Sequence, residues 1–180
     1  MELTVWTIGH STRPLDLFIG LLEHHRIEAV ADVRRFPGSR RHPQYGSDTL
    51  QTTLAEHAIG YRWMPELGGR RRTSPGSPNS LWKNAAFRGY ADYMQTAEFA
   101  AASADLLAFA QQQRTCMMCA EAVWWRCHRS MIADALKSRG IRVLHIMDAG
   151  KTTEHPYTAP AGIVDGRLTY ARDGSPGLAN

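Results

Sequence analysis

Residues 3–33 read as strand, helix, strand, and that order restricts the chain to few folds. "LTVWTIG" (3–9) is rich in β-branched and aromatic residues and ends on glycine, as strands do. "LDLFIGLLEHH" (15–25) places Leu15, Phe18, Ile19 and Leu22 on one helical face. Pro14 suits a first helical turn, and Ser11 or Thr12 is expected to cap it. "IEAVADV" (27–33) is a second short apolar run. Two strands joined through a helix form a βαβ unit, which implies a parallel sheet.

The remaining pattern extends that unit. Helices are expected over 47–59, 90–113 (broken near Thr96) and 127–140. Strands are expected over 61–67, 115–120 and 141–147, with Pro65 pointing to an edge or an early end. Asp165-Gly166 inside "GIVDGRLTY" (162–170) signals a hairpin. The expected fold is a single α/β domain over 1–170. It has a mostly parallel sheet of about five strands, helices on both faces and a small C-terminal hairpin. The tail 171–180 reads as disordered.

In such a sheet, ligands bind beyond the carboxyl ends of the strands. That rim gathers His10 and Ser11, Asp32 and Arg34, Cys119 and Glu121, and His145 and Asp148 from four segments. His24, His25 and His57 fall on helix surfaces, and His145 reads as a core histidine.

Composition bounds the partners. The net charge is +4, and no apolar run approaches the ~18 residues of a membrane span. A cytoplasmic location without a membrane is expected. All three cysteines lie between 116 and 127, which suits reduced thiols better than a disulfide framework. Positive charge concentrates in two loops. "RRFPGSRRH" supplies Arg35, Arg40 and Arg41; "GRRR" supplies Arg70, Arg71 and Arg72. Arginine forks in loops suit phosphate, so a nucleic acid or nucleotide partner is expected.

"CAEAVWWRCHR" (119–129) is the densest chemistry in the chain. Three readings compete. Three thiols and one imidazole suit zinc, but Cys116 and Cys119 on a strand face opposite sides, so no metal is assigned. Cys127 near a helix start, beside Arg126, His128 and Arg129, suits a reactive thiolate with Cys119 as its partner. The same helix start suits an anion. The loop is not glycine-rich, and the fifth residue after Cys119 is followed by Trp125 rather than arginine, which excludes a phosphatase loop. No cofactor is called for.

"TIGHS", "DVRRFPGS", "LGG", "FRGYADYM", "MCAEAVWWRCHR" and "HPYT" occur in that order. Together they resemble an uncharacterised bacterial family known as domain of unknown function 488, over about residues 5–170. The resemblance implicates His10, Ser11, Asp32, Arg34, Tyr90, Cys119, Glu121, Cys127, His128 and Arg129. Cys116 lies outside its motif, and Trp124-Trp125 stands where a proline is more usual. Some members carry a DNA-repair label.

The leading expectation is an enzyme on nucleic acid or a nucleotide, in DNA repair or nucleobase processing, hydrolysing a glycosidic or phosphate bond. Asp32, Glu121 and His10 carry acid/base or electrostatic roles, with Cys119 and Cys127 as further catalytic candidates. Ser11, Arg34, Tyr90, Trp124, Trp125, His128 and Arg129 bind substrate. The loop arginines hold phosphates. Two alternatives stand beside it: a thiol redox or metal-binding protein using Cys119 and Cys127, and a non-catalytic nucleic-acid-binding module.

Overall fold

The computed structural model describes residues 2–175. Five strands form a parallel sheet: β1 (Thr4–Gly9), β2 (Ala29–Asp32), β3 (Gly60–Trp63), β4 (Thr115–Cys119) and β5 (Arg142–Asp148). A sixth, β6 (Lys151–Glu154), adds antiparallel to β5. The order across the sheet is β3-β2-β4-β1-β5-β6. A separate hairpin joins β7 (Gly162–Val164) and β8 (Arg167–Thr169). Its turn residues Asp165 and Gly166 hold φ +50° and +76°, as a two-residue turn with two left-handed positions requires.

Helices cover both faces. α1 (Leu15–His24) and α2 (Ser47–Glu56) pack on one; α3 (Ala85–Met94), α4 (Ala97–Gln112) and α5 (Arg129–Ser138) pack on the other. The strand alternation divides the core accordingly. Trp6, Ile8, Cys116 and Met118 join Phe18, Leu22, Leu50 and Leu54. Val5, Met117 and Cys119 join Tyr90, Phe99, Ile132 and Leu136. Cys116 and Cys119 therefore sit on opposite faces, as their three-residue spacing in a strand dictates.

Several boundaries differ from the sequence expectation. α1 has Pro14 as its N-cap, with no side-chain cap bond from Ser11 or Thr12. Ser11 is instead tied to the loop after β4, its N–H donating to the carbonyl of Ala120. β3 ends at Trp63, because Pro65 opens a 3-10 turn over Pro65–Leu67. The helix expected from Tyr90 starts earlier, capped by Asn84, whose side chain accepts the N–H groups of Ala86 and Phe87. Its break falls at Thr96, which caps α4. The segment from Cys127 begins its helix at Arg129. Within the tail, Ala171 is buried and the N–H of Gly174 donates back to its carbonyl; the rest of the expected disorder, over 176–180, lies outside the described residues.

Candidate functional site

A cleft of about 250 Å³ opens beyond the carboxyl ends of β2 and β4. Cys119, the last residue of β4, and Cys127, two residues before α5, meet at its floor. Both thiols are free, and their sulfurs lie 2.8 Å apart. Cys119 is 2% exposed and Cys127 4%. Cys116, on the other face, stays apart, and burial pushes its thiol up.

Arg129 controls this pair. Its guanidinium donates from Nη1 to Cys119 Sγ at 2.7 Å and to the Glu121 carbonyl at 2.7 Å; Nη2 donates to the Ala122 carbonyl. Its own backbone N–H faces Cys127 Sγ at 3.5 Å. The side chain is fully buried, and Nε has no partner among the described residues. Among the described residues no carboxylate pairs with Arg129. A buried guanidinium stays charged and calls for a nearby anion. The two sulfurs are the groups placed to supply it.

The pair titrates as a unit. Burial opposes ionisation of Cys127, but the hydrogen bond from Cys119, the charge of Arg129 and its backbone N–H outweigh this and lower the Cys127 value. Burial, followed by the hydrogen bond to Cys127 and the charge there, pushes Cys119 well up. The hydrogen bond between the sulfurs accounts for the opposite directions, raising its donor Cys119 and lowering its acceptor Cys127.

His128 adds a hydrogen-bond acceptor. Its Nε2 lies 2.9 Å from the Val33 carbonyl, so that nitrogen carries the hydrogen. Nδ1 is then free of hydrogen and lies 3.5 Å from Cys127 Sγ. Burial lowers His128, which keeps the ring neutral. The Tyr90 ring lies 5.2 Å from it, and the Tyr90 hydroxyl donates to the Leu67 carbonyl. Tyr90 is thus committed to the wall behind His128.

Gly9 makes the arrangement possible. A Cβ there would come within 1.7 Å of the Glu121 carbonyl oxygen and 2.8 Å of Arg129 Nη1. Only a residue without a side chain admits the guanidinium. "TIGH" reads as a strand end, and nothing in it shows that Arg129 must pass there.

Asp32 is fully buried and saturated. It accepts from Arg34 Nε at 2.8 Å, Arg34 Nη2 at 2.7 Å, the Arg34 backbone N–H and the Tyr61 hydroxyl at 2.6 Å. Its place is to fix Arg34, which lines the cleft. His10 lies behind Arg34. Its Nδ1 is 2.8 Å from the Ser11 carbonyl, Arg34 Nη1 is 3.4 Å from Nε2, and its ring stacks on Tyr45 at 4.1 Å. Burial lowers His10 to about 4, so it is a neutral acceptor there. Glu121 lines the cleft through an exposed side chain. Arg129 takes its carbonyl, not its carboxylate.

The loop arginines divide. Arg35, Arg70 and Arg126 line the cleft with Arg34. Arg35 and Arg70 both lie over the ring of Phe36, which is 63% exposed. Arg71 stacks on Tyr93 at 3.7 Å and donates to the carbonyls of Gly68 and Glu66. Arg40, Arg41 and Arg72 are exposed and do not line this cleft.

Trp124 and Trp125 separate as well. Trp125 is exposed, whereas Trp124 stacks on His145 at 4.5 Å. His145 belongs to a buried chain that runs from the Thr7 hydroxyl through His145 and His155 to Asp134. Thr158 and Tyr170 also donate to Asp134. This network lies under α5 and ties down the loop 120–126. Neither His145 nor the exposed Asp148 lines the cleft. Among the described residues, no group of three or more His, Cys, Asp and Glu side chains is placed to hold a metal ion. Among the described residues, no helix is long and apolar enough to cross a membrane.

No curated protein and no solved structure matches the chain. The model of one family matches residues 14–136, a span that contains every residue lining the cleft. On that match, which covers more than half of its length, the chain belongs to the family described as domain of unknown function DUF488.

Proposed function

We propose that this chain is a thiol-dependent oxidoreductase in which Cys119 and Cys127 cycle between dithiol and disulfide. One observation carries the reading. Two free sulfurs lie 2.8 Å apart against a buried arginine that has no carboxylate partner among the described residues. Cys127 is the attacking thiolate, since it takes the N–H of Arg129 at the start of α5 and faces His128 Nδ1. Cys119 is the resolving thiol. Arg129 stabilises the shared negative charge, and the neutral ring of His128 packs against Cys127 Sγ through Nδ1. A mild oxidant should remove two hydrogens from the protein, and peptide mapping should place the new bond between 119 and 127. Cys127→Ser should abolish that change and Cys116→Ser should not. An unchanged mass in the native protein would reject the reading.

The rim favours a second reading, an enzyme or binding module for nucleic acid or a nucleotide. Its support is Phe36, exposed beneath Arg35 and Arg70, with exposed Trp63 lining a neighbouring cleft that Phe36 shares. Arginine with exposed aromatic rings suits phosphate contact and base stacking. Labelled single-stranded and duplex DNA in a salt series tests it. Binding should weaken by roughly 0.7–0.9 log units per phosphate contact for each log unit of salt. No binding of either form at low salt would reject polymeric DNA as the ligand.

A further inference from the structure

We infer that the oxidant of the Cys119–Cys127 pair is a small disulfide carrying carboxylates, bound in the cleft by Arg35, Arg70 and Arg126. The inference rests on the dithiol reading above and adds the class of substrate. Access sets the size. Both cysteines are at most 4% exposed at the floor of a cleft of about 250 Å³. A disulfide held in another folded protein does not reach that floor without unfolding, whereas a flexible small molecule does.

Charge sets the sign. Among the described residues, four arginines line the cleft and Glu121 is its one carboxylate. Asp32 offsets Arg34. Among the described residues, Arg35, Arg70 and Arg126 form no ion pair. Arg35 Nη1 instead donates to the carbonyl of Arg70 at 2.9 Å, which joins the two loops at the mouth. Arg70 holds φ +59°, a left-handed conformation that residues other than glycine avoid. Such outliers persist where the surroundings enforce them and gather at ligand sites. Phe36, Phe87 and Ala86 supply apolar wall between the charges, suited to the methylenes flanking a sulfur.

The chemistry closes without another reactant. The Cys127 thiolate attacks one sulfur of the disulfide RSSR, forming a Cys127–SR bond and expelling RS⁻. Cys119 then gives up its proton and attacks Cys127 Sγ, expelling the second RS⁻. The protein is oxidised by two electrons and RSSR is reduced to two thiols. The proton from Cys119 leaves on one of them, and the other takes its proton from water.

Glutathione disulfide and cystamine are the probes: one carries carboxylates, the other amines. Each rate of forming the 119–127 disulfide is divided by the rate of the same oxidant with a free small thiol. At low salt the normalised rate should favour glutathione disulfide by about tenfold, and the preference should shrink as salt is added. Arg70→Ala and Arg126→Ala should each reduce the preference. Arg167→Ala, at an exposed position of β8 in the hairpin, should leave it in place. Equal rates, or a faster reaction with cystamine, would overturn the acidic substrate and leave the dithiol reading intact. Failure of both oxidants to form the bond would overturn both.

Discussion

Arg129 Nη1 lies 2.7 Å from Cys119 Sγ, and the backbone N–H of the same residue faces Cys127 Sγ. One residue thus addresses both sulfurs, and in the proposed dithiol it is the thiolate charge that is set against its guanidinium. Arg129→Met should therefore raise the pH at which the pair loses its first proton, by at least about one unit. The pH profile of Cys127 alkylation measures it. An unshifted profile would separate Arg129 from the thiol chemistry.

Gly9 is the space through which that contact is made. Gly9→Ala should lower stability by about 1–3 kcal/mol or more through overpacking. It should also raise the pH of Cys127 alkylation, because the Glu121 carbonyl and Arg129 must both shift. Gly20→Ala is the contrasting case. A Cβ there meets nothing within 4 Å in the interior of α1, so helix propensity alone should stabilise by roughly 0.8–1 kcal/mol. Thermal unfolding of the two variants should move in opposite directions.

Asp32→Asn should leave the Arg34 guanidinium buried without its anion, a loss of about 3–5 kcal/mol. Tyr61→Phe removes only one donor from the same carboxylate and should cost about 1 kcal/mol. Denaturant unfolding distinguishes the two. Similar small losses would mean that Arg34 finds another partner.

Acid should weaken the fold before most carboxylates protonate. Burial lowers His10 to about 4, and burial with the nearby His155 and Arg129 lowers His145 to about 2. Below the ordinary histidine value near 6.5, the unfolded chain binds protons that the native protein refuses. Stability should therefore fall as pH drops from about 6.5 to 4, by at most about 1.4 kcal/mol per pH unit for each histidine. It should continue to fall below 4 through His145. His10→Gln should flatten the upper part of this slope.

The fold was legible where local pattern and tertiary need agree. Short apolar runs placed β1, β2 and β4, which are buried on both faces, and the Asp165-Gly166 turn placed the hairpin. The strand β6 was not legible, because "KTTE" has no apolar period and becomes a strand by pairing with the edge of β5. Of the residues expected at one rim, Arg34, Cys119 and Glu121 line the cleft, whereas His10, Ser11, Asp32, His145 and Asp148 do not. The partners within the site were not legible. Arg129 takes the carbonyl of Glu121 rather than its carboxylate, and Asp32 is saturated by Tyr61 as well as Arg34. Such choices depend on backbone paths converging from β1, β3 and α5. No spacing along the chain encodes them.

The central claim is that the reduced pair carries one thiolate at neutral pH, and ultraviolet thiolate absorbance of the reduced protein tests it most directly. The account predicts one thiolate per chain near pH 7, lost in Cys127→Ser and diminished in Arg129→Met. Thiolate signal that emerges only above the ordinary cysteine value of about 8.5 would contradict it.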